Sequence, residues 1–180
     1  MASRLSLTAL ALVAGLVAAP SASFAQADGQ SSGEVTKVLA SAGAGFNTEA
    51  VQSLINRGDA AVAAGNLDQA RKDYDTARSA AKQLLAFYRD LSGAFRGLDA
   101  RIPREMDQQG RDALQLQAEI NLRLAALLRR MNDPATAVPL LVQVIQITTP
   151  ASPLGQKAYQ SLIELGFVTT PFAGGSAAGN

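Results

Sequence analysis

The sequence predicts an all-α domain of about five helices arranged as antiparallel hairpins, and three features of the chain predict it. From Ala70 to Leu98 the apolar residues follow steps of four and three: Ala70, Tyr74, Ala77, Ala81, Leu84, Tyr88, Leu91, Phe95 and Leu98. That period marks one stripe of a helix. Between such runs stand residues that stop and start helices, namely Gly65-Asn66, Asn132-Asp133-Pro134 and Ser152-Pro153. Finally, the small residues Gly58, Ala61, Ala70 and Ala77 are grouped around a single ring, Tyr74. Two helices can then approach closely across the Gly65-Asn66 turn, with the ring filling the space that the small residues leave.

At the N-terminus, Arg4 precedes an apolar run from Leu5 to Ala19, followed by Pro20 and small residues. Ser23-Phe24-Ala25 and Ala25-Gln26-Ala27 are overlapping cleavage sites, so residues 1–27 read as a secretory signal peptide. The run is about 15 residues, short of the roughly 20 that a membrane span needs, so an uncleaved anchor fits less well. The expected location is the periplasm or an equivalent lumen, or outside the cell. With no Cys in the chain, lipid attachment at the cleavage site and a disulfide framework are both excluded. The 16 Lys and Arg face 15 Asp and Glu, and Arg4 leaves with the signal. A neutral mature surface gives no general attraction for nucleic acid or anionic membrane, and stable membrane insertion after cleavage is not expected.

Residues 28–47 are rich in Gly, Ser and Ala and read as a flexible linker, although Val35, Val38, Leu39 and Ala42 have the spacing of one or two helical turns. A helical domain over 48–168 follows. Its first helix starts at Thr48 as N-cap, carries Val51, Leu54, Ile55, Gly58, Ala61 and Val62 on one stripe, and ends at Ala64 before Gly65. The second starts near Leu67 and continues past Leu91; Gly93 and Gly97 weaken its last turns, and Pro103 stops it by Ile102. The third, from about Pro103 to Met131, gathers its charged residues in one sector. Leu114, Leu116, Ile120, Leu124, Ala125, Leu127, Leu128 and Met131 spread over the rest. An apolar arc that wide needs neighbours on two sides. Gln117 and Asn121 fall within it and need partners.

Asp133 as N-cap with Pro134 behind it opens a fourth helix, complicated by Pro139. The Val- and Ile-rich run 140–149 leaves a strand open as the alternative. Ser152-Pro153 opens a fifth helix with Leu154, Ala158, Leu162 and Leu165, and Gly166 can cap it so that Phe167 folds back on Leu162. Residues 169–180 read as a disordered tail.

The spacing Leu54-x3-Gly58-x2-Ala61-x3-Gly65-x4-Ala70-x3-Tyr74-x2-Ala77 resembles the tetratricopeptide repeat, a helix-turn-helix unit of about 34 residues. Arg57 stands where a large apolar residue is usual, and Lys82 where a proline is. A degenerate second copy aligns Ala125 with Gly58, Asn132 with Gly65, Ala137 with Ala70, Leu141 with Tyr74 and Val144 with Ala77. A middle copy would need core residues at Ser92, Phe95, Arg104, Gln108 and Arg111, which are mostly polar, so a long central helical hairpin is expected there instead. The resemblance implies a short right-handed tetratricopeptide-like array capped by the fifth helix. It also implies a concave groove lined by the first helix of each pair, presenting Gln52, Ile55, Asn56, Asp59 and Val62 from one unit, and Glu119, Leu122, Arg123, Ala126 and Arg130 from the other.

The chain has no His and no Cys, which excludes thiol catalysis, a Ser-His-Asp triad and metal sites built on those ligands. No Gly-rich phosphate loop follows a strand, and no cofactor is expected. The expected function is therefore an exported scaffold or adaptor that binds another protein or peptide segment in assembly of an envelope or lumenal complex. The candidate contacts are Gln52, Ile55, Asn56, Asp59, Glu119, Leu122, Arg123 and Arg130. One alternative is a self-associating structural protein using the 88–114 hairpin. A more distant one is glycan cleavage by a carboxylate, Glu119 or Glu105.

Overall fold

The computed structural model describes residues 46–172, which form five helices: α1 (Thr48–Ala63), α2 (Leu67–Ala94), α3 (Arg101–Arg130), α4 (Pro134–Thr148) and α5 (Pro153–Glu164). Among the described residues there is no strand. The signal peptide and residues 28–45 and 173–180 lie outside the described residues. Phe46 and Asn47 belong to the fold rather than to a linker. Asn47, one residue ahead of the expected Thr48, is the N-cap of α1, its Oδ1 accepting from Ala50 N at 2.7 Å.

The helix ends follow local chemistry. Gly65, Asn132 and Gly166 all have positive φ (77°, 61° and 77°), and each closes its helix the same way. After α5, for example, Gly166 N donates to Ile163 O at 2.9 Å and Phe167 N to Leu162 O at 3.1 Å. These bonds satisfy carbonyls that a helix end otherwise leaves open. The contact between Phe167 and Leu162 is thus one of backbone, and the Phe167 side chain is 60% exposed.

α2 stops at Ala94, not at Leu98. Gly97 turns the chain with φ 87°, and Leu98 is left 80% exposed, so the last member of the stripe packs on nothing. α3 begins two residues ahead of Pro103 because Asp99 Oδ1 accepts from Arg101 N at 2.9 Å, and a proline in the first turn forfeits no helical bond. Asp99 is held below the usual carboxylate range by the Arg101 side chain, whose Nη2 donates to its Oδ2 at 2.7 Å, and then by the bond from Arg101 N. The run 140–149 is helix through Thr148. Ala137, Leu140, Leu141 and Val144 are buried at helical spacing, whereas Pro139 and Ala135, whose carbonyl the proline cannot serve, are both exposed.

Consecutive helices pack as neighbours, and α1 also meets α3, which in turn meets α5. The core runs through this stack, from Val51, Ile55 and Tyr74 to Leu84, Ile120 and Leu128, and on to Leu141, Ala158 and Leu162. At the α1–α2 contact Gly58 lies directly against the Tyr74 ring. Arg57, the residue that departs from the repeat pattern, sends Nη2 to Asp73 Oδ1 at 2.8 Å and ties the same pair of helices from outside. On the second helix of each hairpin the equivalent positions match in burial: Ala70 and Ala137 are both 0% exposed, Tyr74 and Leu141 are 2% and 1%, and Ala77 and Val144 are both 0%. On the first helices they differ, Arg57 being exposed and Ala61 half-buried where Leu124 and Leu128 are buried.

The outer part of the α2–α3 hairpin packs on small and polar residues. Buried Ser92 donates to Asp107 Oδ1 at 2.8 Å, and Gly110 lies near Leu85 and Tyr88. Asn121, fully buried as expected for the wide apolar arc, reaches Gln143 Oε1 at 3.4 Å, and Arg78 Nη2 reaches the same oxygen at 2.9 Å, linking α2 to α4. Gln117 is buried as well, at 9% exposed.

Candidate functional site

α1, α3 and α5 stand side by side because each is the odd member of the stack, and two ion pairs mark the line they form. Arg123 Nε of α3 lies 3.4 Å from Asp59 Oδ1 of α1, and Arg129 Nη1 of α3 lies 3.0 Å from Glu164 Oε2 of α5. Asp59 also accepts from Tyr74 Oη at 2.5 Å. Burial first, then this bond and charge, push the Tyr74 phenol well above its ordinary range, so it stays neutral and a hydrogen-bond donor.

The candidate residues separate on this surface. Ile55 is 0% exposed and belongs to the core, so it offers no side chain to a partner. The reason is geometric: α1 is covered on two sides, by α2 and α3, and its apolar stripe is consumed there. Gln52 and Asn56 lie on the accessible face and bond each other at 3.0 Å. Arg123 is engaged by Asp59 and, at 3.5 Å, by Glu119, so its charge is already answered. Glu119 accepts from Gln115 at 3.2 Å as well, which makes it part of a helix-surface network. Arg130 is exposed but is not among the residues that line the cleft described next.

An open cleft of about 680 Å³ lies between α3 and α5. Leu122 and Ala126 of α3 and Ile163 of α5 supply apolar surface. Gln156, Lys157, Gln160 and the Arg129–Glu164 pair form the polar margin, and Tyr159 with Pro171 and Phe172 closes one side. Of the candidate contacts only Leu122 lines it. The α5 residues escaped sequence reasoning because that helix was read as a cap. Their signal is present nonetheless: Gln156, Tyr159, Gln160 and Ile163 recur at steps of three, one and three, a second helical face opposite Ala158 and Leu162.

No family model, curated protein or solved structure matches the chain. Among the described residues, no group of three or more acidic side chains is placed to hold a metal ion, and no helix is long and apolar enough to cross a membrane.

The cleft combines an apolar floor with amides that can both donate and accept, an arrangement suited to a peptide backbone with side chains between its polar groups. Neither carboxylate raised by the sequence, Glu119 or Glu105, lines it.

Proposed function

We propose that this protein is an exported adaptor that docks an extended segment of another protein in the groove between α3 and α5, in assembly of an envelope or lumenal complex. The carrying observation is that open cleft, with Leu122, Ala126 and Ile163 on its floor and glutamines along its margin. The signal-peptide pattern of residues 1–27 supports export. The two hairpins are read as diverged tetratricopeptide-like units. In support, Ala125 follows Gly58 by 67 residues, and three matched positions on the helices that follow, Ala70 with Ala137, Tyr74 with Leu141 and Ala77 with Val144, are buried alike. On this reading α5 is both the cap of the array and one wall of its binding surface, and the protein works by binding rather than by catalysis.

The test is affinity capture with the wild type and with Ala126→Arg. Ala126 is exposed on the floor of the cleft, so the arginine blocks it without touching the core. A partner bound by the wild type and lost with Ala126→Arg, at unchanged helicity, is the expected result. The same partner retained by both removes the cleft from the account. Charge reversal at Arg123 is a poorer test, because it also breaks the tie between α1 and α3.

A second reading, self-association through the 88–114 hairpin, draws on Leu98 at 80% exposure near its tip and on Phe46 and Phe87, 44% and 45% exposed, whose rings meet at 5.6 Å beside it. Sedimentation at increasing concentration decides it: a strict monomer excludes this reading.

A further inference from the structure

We infer that the α3–α5 groove receives a partner segment carrying an aromatic side chain two residues after a free backbone carbonyl, and that residues 168–172 of this chain hold that place until displaced. The inference deepens the docking function proposed above and rests on it. Past Gly166 the chain lies back against α5. Val168 packs on the core, Tyr159 Oη donates to Thr170 O at 2.7 Å, and the Phe172 ring stands edge-on to Tyr159 at 6.0 Å and 67°. One tyrosine thus reads a carbonyl with its hydroxyl and an aromatic ring with its own ring. Pro171 between the two contacts fixes its own φ and biases Thr170 toward an extended conformation, so the strap meets the groove as an extended peptide does.

Nothing in these contacts requires the strap to be part of the same chain. They are also few. Phe172 keeps 43% of its surface exposed, and Thr169, Thr170 and Pro171 are exposed as well. The residues that follow, from Ala173 to Asn180, include no aromatic or large aliphatic side chain that could add an anchor. Leu122 and Ala126 remain accessible on the opposite wall. A partner segment that takes over Tyr159 gains that wall too, whereas the strap gains mainly from being tethered, which supplies an effective concentration on the millimolar order.

The experiment uses full-length chains and a fluorescent peptide of residues 168–180, read by anisotropy. In the wild type the tethered strap competes and binding is weak. Phe172→Ala loosens the strap, the one side of the cleft that an incoming segment would replace, and leaves the α3 and α5 walls unchanged, so the peptide then binds about three- to tenfold tighter, the range set by loss of one aromatic pair. On that background Tyr159→Phe, which removes only the hydroxyl, weakens the peptide a few-fold, and Tyr159→Ala abolishes its binding. Equal affinity for wild type and Phe172→Ala, or binding that survives Tyr159→Ala, overturns the inference. So does a wild-type dimer that Phe172→Ala dissolves, because a second copy's tail would then be the occupant. The peptide assay needs no natural partner, so its outcome is separate from that of the capture experiment.

Discussion

Two glycines in helices of the same protein are expected to respond to alanine with opposite signs. In a helix interior, Gly→Ala is worth about 0.8–1 kcal/mol of propensity. At Gly93, in the last turn of α2, no atom from outside its own stretch of helix lies within 4 Å of where a Cβ would stand, so alanine gains there, by less than the interior figure because the helix ends at Ala94. At Gly58 a Cβ would lie 2.6 Å from Tyr74 Cδ1 and 3.1 Å from Cζ. The ring cannot retreat, because Tyr74 is 2% exposed and its hydroxyl is held by Asp59. Overpacking of this kind costs about 1–3 kcal/mol, and breaking the hydroxyl bond to make room costs about 1 more. The net for Gly58→Ala is a loss of about 1–3 kcal/mol, a fall of roughly 4–11 °C in Tm. Urea and thermal unfolding followed by circular dichroism measure both variants. Tyr74→Leu, which removes the ring, should erase the cost of Gly58→Ala in a double-mutant cycle. A Gly58→Ala variant as stable as the wild type would refute the close packing of α1 on α2.

Gly155→Ala should be more damaging, by about 3 kcal/mol or more, because the new Cβ would lie 2.9 Å from the Thr149 carbonyl carbon and 3.0 Å from Ser152 Oγ. A change in the urea midpoint equivalent to less than about 1 kcal/mol would show the start of α5 to be looser than described. Asp73 is held below the ordinary carboxylate range, chiefly by the hydrogen bond from Gln69 and then by that from Arg57 and its charge. A lowered folded pKa stabilises the fold above the unfolded value and loses that contribution as pH falls through the folded one. Asp73→Asn should therefore cost about 0.5–1 kcal/mol near neutrality, a modest figure because Arg57 is largely exposed, and less as pH drops below about 4. A gap independent of pH between about 3 and 7 would contradict the ionised pair.

Much of the fold was legible because local chemistry and burial agree. Asn66, Asp133 and Ser152 cap their helices, Gly65 and Gly166 close theirs, and the stripe from Ala70 to Leu84 is buried at every member. Boundaries slipped where a tertiary contact or a turn decided them. Leu98 matched the period but had no partner, and α3 started early on the strength of Asp99. The strand alternative for 140–149 weighed β-branched composition, yet Ala137, Leu140, Leu141 and Val144 already had helical spacing. The candidate contacts were harder to read, since period identifies a face but not what covers it. Ile55 lies beneath α2 and α3, and Arg123 is taken up by Asp59, a residue 64 positions away that no local pattern connects to it. The cleft wall on α5 needed the knowledge that α5 meets α3.

The most direct measurement is site-specific photo-crosslinking from position 126, on the cleft floor, and from position 87, on the exposed aromatic cluster, with sequencing of the peptides captured in the native compartment. The account predicts that position 126 captures one extended segment of a partner, centred on an aromatic residue, and that position 87 does not capture it. Capture of that partner from position 87 but not from 126 would contradict the account.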